Sequence, residues 1–192
     1  MGNTSINNAI LNKMLCSTLF VLLFSSVLIG SLTRADSPLV INVETLEITN
    51  KPNDYMGDWS GMIHKNDPEN TISLKMIIKS TVPDNMMVKL TVNIGGTDMP
   101  ESTTTLCGTM SDKVIVAGIL EVGKPEDTFP KECPIEEGVY EVIEYHIKKD
   151  NIPSTLPDGK LVGHIEIYMP GEGPIVKIDF QGDISHKMPS MG

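Results

Sequence analysis

The chain has 192 residues, of which 40% are apolar and 21% charged, a balance outside the range of intrinsic disorder. The length favours one domain over two. With 25 acidic against 15 basic residues the formal charge is −10, which argues against a phosphate-tracking nucleic-acid binder and against adhesion to anionic lipid surfaces by charge alone.

Lys13 precedes an apolar run over residues 14–30, followed by Ser31-Leu32-Thr33-Arg34-Ala35. A basic flank, an apolar stretch and a small residue at the cleavage point predict a secretory signal peptide over residues 1–35, cut after Ala35. The polar residues before Lys13 make this leader long, so Met14 stands as an alternative start. The competing reading is a membrane anchor. Ser17, Thr18, Ser25 and Ser26 dilute the run, so no stable membrane insertion is expected after cleavage. Residues 36–192 then form a single domain with 13 basic and 25 acidic residues, a formal charge of −12, and every basic residue left is Lys. Without Arg there is no guanidinium fork for phosphate or carboxylate. Cys16 leaves with the leader, and the remaining Cys107 and Cys133 most simply form one disulfide in an oxidising compartment. No Asn-x-Ser/Thr sequon survives, so no N-glycan is expected.

Beyond the leader, short alternating segments between turn residues predict an antiparallel all-β domain. Candidate strands cover residues 39–48 and 58–64. In residues 71–79, Ile72, Leu74, Met76 and Ile78 share one face, and in residues 85–95 Val88, Leu90, Val92 and Ile94 do so. Val82-Pro83-Asp84-Asn85 reads as a turn that pairs these two strands as a hairpin. Residues 100–131 mix Ser, Thr, Gly and Pro. Within them, residues 113–122 read as a strand, with a short helix or a loop as the alternatives. Strands follow over residues 139–148, 160–169 and 175–184, the last two joined by the tight turn Pro170-Gly171-Glu172-Gly173-Pro174. Seven or eight short strands make a two-sheet sandwich.

Enzymatic motifs are absent. His64, His146, His164 and His186 lack zinc-helix spacing, and there is no nucleophile elbow, phosphate loop or nucleotide fingerprint. His146 and His164 fall on polar strand positions and are expected at the surface. Met is abundant, at 12 residues, and aromatic residues make up only 5%. Flexible thioethers suit either plain core filling or a soft, apolar binding surface.

The stretch Cys133-Pro134-Ile135-Glu136-Glu137-Gly138-Val139-Tyr140, then Tyr145-His146-Ile147, then Ile152-Pro153-Ser154-Thr155-Leu156-Pro157-Asp158-Gly159, resembles the C-terminal half of the ML lipid-recognition superfamily. That superfamily includes ganglioside-activator and sterol-transfer proteins, and the likeness is greater to small secreted insect members. Gly138 allows a close approach or a positive φ before a strand, while Pro153 and Pro157 hold a crossing segment at the sandwich rim. The chain departs from the family in lacking a Cys in its last hairpin and in its N-terminal strands.

The resemblance implies an Ig-like two-sheet antiparallel β-sandwich with an apolar cavity between the sheets. The expected lining is Leu74, Met76, Ile78, Leu90, Val92, Ile143, Tyr145, Ile147, Ile165, Ile167, Ile178 and Phe180. The expected function is that of a secreted, extracellular, non-enzymatic carrier, free of cofactor and metal. Its ligand would be a fatty acid, sterol or glycolipid, its partner a receptor or other protein, and neither nucleic acid nor membrane is expected. Only scattered Lys residues, such as Lys148, Lys149 and Lys160, stand near the expected rims, so affinity should follow acyl length more than head-group charge. The alternative is an extracellular protein-recognition sandwich with a packed core.

Overall fold

The computed structural model describes residues 39–110, 116–149, 152–153 and 155–187, which fall within one unit, Ser37–Gly192. The expected leader lies outside them. The first strand, β1 (Leu39–Asn50), starts from alternating Leu39, Ile41 and Val43. It is followed by β2 (Ser60–His64), β3 (Thr71–Ile78), β4 (Met87–Ile94) and the short β5 (Thr97–Asp98) and β6 (Ser102–Thr105). Two short helices, α1 (Leu106–Thr109) and α2 (Val116–Val122), precede β7 (Gly123–Lys124), β8 (Gly138–Tyr145), β9 (Gly159–Tyr168) and β10 (Pro174–His186).

All pairings are antiparallel. One sheet runs β1-β10-β9-β4-β5, with β6 also on β4, and the other runs β2-β3-β8-β7. Apolar residues repeating every second position line the facing surfaces of two such sheets and close an Ig-like sandwich. The β9–β10 turn forms as expected. The Glu172 amide donates to the Met169 carbonyl at 2.9 Å, and Gly171 takes φ +86°, a conformation that favours glycine.

Two expectations need correction. The segments at 71–79 and 85–95 are not a hairpin: β3 pairs with β2 and β8, whereas β4 pairs with β5, β6 and β9. Both strands turn their apolar faces inward, so they meet across the core instead of side by side. Their connection sends two side chains into the core, Val82 at 1% and Met86 at 0% exposed, and the Val82 amide donates to the Ile135 carbonyl at 2.9 Å. The second correction is residues 113–122: positions 116–122 are helical, and 113–115 lie outside the described residues. Ala117, Leu120 and Glu121 favour a helix, and Ile119 from this turn reaches the sandwich interior.

Candidate functional site

The interior divides into two clusters. One is filled: Met56, Trp59, Ile78, Val82, Met86, Phe129, Ile135, Tyr140, Val142, Ile167, Ile175, Val176 and Ile178 are all buried together. Many of these come from connections between strands. The other cluster has only Leu39, Ile41, Ile94, Leu161 and Ile184 buried, with Val92, Met99, Ile147, Ile152, Leu156 and Phe180 around them. Between this cluster and the filled one the sheets border a partly open cavity of about 320 Å³ whose lining exposes only apolar atoms.

The six-stranded sheet contributes Ile41, Val43 and Leu46 from β1, Leu90, Val92 and Ile94 from β4, Leu161 and Ile165 from β9, and Ile178, Phe180 and Ile184 from β10. The opposite wall is Ile72, Leu74 and Tyr145, with Ile119 from α2 and Ile147, Ile152 and Leu156 from the β8–β9 connection. Thus Leu74, Leu90, Val92, Tyr145, Ile147, Ile165, Ile178 and Phe180, named from sequence, border the cavity. Met76, Ile78 and Ile167 point inward but pack in the filled cluster and do not border it.

Ile143 is the clearest correction, since it is 45% exposed on the outer face. On β8, Tyr140 and Val142 face inward. Ile72 then pairs with Tyr145 and Leu74 with Val142, so Ser73 alone stands opposite both Ile143 and Glu144. This is a β-bulge, which inserts one residue and flips the alternation beyond it. Glu144 takes φ +49°, and its amide donates to the Ser73 hydroxyl at 3.0 Å. Tyr145 is thereby returned to the inner face.

A second bulge explains residues that alternation missed. Val43 pairs with Gly182 and Thr45 with Gln181, leaving Glu44 unpaired. The inward positions therefore run Ile41 and Val43, then Leu46 and Ile48. Ile72, Ile94, Leu161 and Ile184 share the alternation of their strands and were legible that way. Ile119, Ile152 and Leu156 come from a helix and a Pro-rich connection, where no period of two exists.

Gly163 is a seat for one lining group: a Cβ there would lie 2.0 Å from the Phe180 ring. Gly138 likewise allows the Tyr140 ring to approach, since a Cβ would sit 2.9 Å from it, and the Tyr140 hydroxyl donates to the Glu136 carbonyl at 3.1 Å. Burial raises the phenol pKa of Tyr145 above its usual value, partly opposed by a hydrogen bond with the Lys148 backbone and by the Lys148 charge. Burial also raises Tyr140, helped by Glu136.

The three lysines expected near the rims are each ion-paired. Lys148 pairs with Glu121 at 2.5 Å, Lys149 pairs with Glu69, and Lys160 pairs with Asp183 at 3.2 Å. Among the described residues no buried side-chain polar atom lacks a hydrogen-bond partner. Among them, too, no group of three or more His, Cys, Asp or Glu is placed to hold a metal. No helix of the described residues is long and apolar enough to cross a membrane. Cys107 on α1 and Cys133 are joined by a disulfide, with Cα atoms 5.8 Å apart.

Fold and site together define a two-sheet antiparallel β-sandwich with a partly open apolar cavity between its sheets. The ML domain family model matches residues 35–181, and the chain belongs to that family, one of lipid-recognition domains. A crystal structure of chicken MD-1 complexed with lipid IVa is similar at 16% identity, covering 79% of this chain and 99% of that one, with a TM-score of 0.35. No curated protein matches the sequence.

Proposed function

We propose that this protein is a secreted, non-enzymatic carrier that holds an apolar ligand of the fatty acid, sterol or glycolipid kind between its sheets. The observation that carries this reading is the cavity of about 320 Å³ lined by apolar atoms alone. Ligand pockets span about 300–1,000 Å³, whereas close-packed cores leave few voids larger than a water molecule. Family membership supports a lipid as the occupant. The Cys107–Cys133 disulfide fits an oxidising compartment, and the leader read from residues 1–35 supplies the route there. The lack of a nucleophile motif in the sequence, with only hydrocarbon walls at the site, supports binding in place of chemistry.

Uptake of a fluorescent fatty acid by the wild type and by Leu90→Trp and Ile165→Trp tests the proposal. Both side chains border the cavity, and an open pocket accepts volume that a packed core rejects. The wild type should take up the probe. Each variant should lose it and melt within a few degrees of the wild type. No uptake by the wild type, with both variants strongly destabilised, would overturn the carrier reading.

A further inference from the structure

The outer faces of the two sheets are unlike. On the six-stranded sheet the outward positions carry cross-strand ion pairs, Lys89–Glu101, Lys177–Glu166, Lys160–Asp183 and His164–Asp179. On the four-stranded sheet they carry hydrocarbon. Three large apolar side chains stand exposed among the described residues, Met62 at 61%, Val139 at 48% and Ile143 at 45%, and all three lie on this outer face. Met62 is opposite Ser73, and Ser73 is opposite Ile143, which makes one row across β2, β3 and β8. The next row is Ser60, Lys75, Glu141 and Lys124, and the row after it is Ile77 and Val139. Lys75 and Glu141 pair at 3.5 Å with nearly half of each side chain exposed. Lys124, at the sheet edge, pairs with Glu126 at 3.5 Å. On a chain of formal charge −10, this face is locally balanced and apolar at its centre, where Met62, Ser73, Lys75, Glu141 and Ile143 line one open groove.

The layout is self-complementary. Because the sheet order is β2-β3-β8-β7, its midline runs between β3 and β8. A two-fold axis along that line keeps every row in place and sets β3 of one copy over β8 of another. Ser73 then lies over Ile143 of the second copy, a small group against a large one, with Met62 along its flank. Ile77 lies over Val139. Each Lys75 meets the other copy's Glu141, so the charged row becomes an alternating set of two lysines and two glutamates. Area sets the strength of such a contact. Strands of 5, 8, 8 and 2 residues, at about 3.4 Å per residue and 4.8 Å apart, present roughly 400 Å² per copy. The pair would bury roughly 800 Å², in the range of transient contacts and short of the 1,200 Å² or more of stable ones.

We propose that the outer face of the four-stranded sheet is a self-association surface, on which a second copy of this chain docks face to face about a two-fold axis to form a transient homodimer. The cavity is lined by the inner faces, so this inference stands apart from the carrier reading.

Sedimentation equilibrium of the purified protein from about 5 µM to 1 mM tests it. The wild type should rise from monomer towards twice the monomer mass, half-associated at about 50–500 µM. Met62→Ser combined with Ile143→Ser should weaken association by about tenfold or more. Lys75→Glu and Glu141→Lys each set four like charges together and should stay monomeric. An equimolar mixture of these two variants should associate again, because an acidic row then faces a basic one. All of these side chains are exposed in the monomer, so every variant should melt within a few degrees of the wild type. A wild type that stays monomeric at the highest concentration leaves the face to some other occupant and overturns the proposal. So does association that the variants do not weaken, or a failure of the two charge variants to associate when mixed.

Discussion

The two ends of the sandwich use the same strands and the same alternation, yet one is filled and the other is open. At the filled end, connections between strands deliver Met56, Val82, Met86, Phe129 and Ile135 into the gap between the sheets. There Met56, Val82, Met86, Val142 and Val176 are at most 1% exposed. At the open end, among the described residues that border the cavity, only Ile119, Ile147, Ile152 and Leu156 arrive from outside the strands, too few to close the space. Sheets spaced about 10 Å apart need interdigitating side chains from both faces, and connections that contribute few large groups leave a cavity. The filled end thus bears the stability that the open end forgoes.

The largest test of this contrast is the disulfide, because Cys133 packs against the filled cluster. Cysteines separated by 26 positions close a loop, for which the chain-entropy model gives about 3.5 kcal/mol. Reduction should lower Tm by about 7–14 °C for a domain of this size. Below the new melting point ligand uptake should persist, since no cysteine borders the cavity. Loss of uptake before melting would show that the two ends are not separable.

A smaller effect separates the ends by single truncations. Met86→Ala leaves a void at a fully buried site and should cost about 2–5 kcal/mol. Leu90→Ala removes a group that already borders empty space, and should cost only about 1–2 kcal/mol, read from denaturant midpoints. Equal costs would mean that the open end is as tightly packed as the other.

The smallest effect is at alkaline pH. Tyr140 in the filled cluster and Tyr145 beside the cavity both have phenol pKa values raised by burial. Folding therefore favours their neutral forms. That contribution is complete below the unfolded value of about 10 and is lost as pH rises through the higher folded values. Lys89, held protonated by Glu101 at 2.7 Å, changes in the same direction. Thermal melts should be flat from about pH 7 to 9 and fall above about pH 10, and Tyr140→Phe and Tyr145→Phe should each reduce that fall. A fall unchanged in both variants would remove these phenols from the account.

Alternation of apolar and polar residues, read along the chain, determined that this protein is a two-sheet antiparallel sandwich, because a period of two is a local property of each strand. It also placed Leu90, Val92, Ile165, Ile178 and Phe180 on inner faces, since β4, β9 and that part of β10 are unbroken. The pairing of Cys107 with Cys133 was legible because they are the two cysteines beyond the expected leader. Tertiary structure alone decided which sheet each strand joins, because β3 and β4 carry the same inward pattern whether they lie side by side or face to face. It also decided the parity of β8 and β1, where the bulges at Ile143-Glu144 and Glu44 add a residue that no alternating pattern announces. Last, it decided which inward residues meet neighbours and which meet space. Met76, Ile78 and Ile167 are as apolar as Leu74, Leu90 and Ile165, and only the connections folded over each end determine which set is covered.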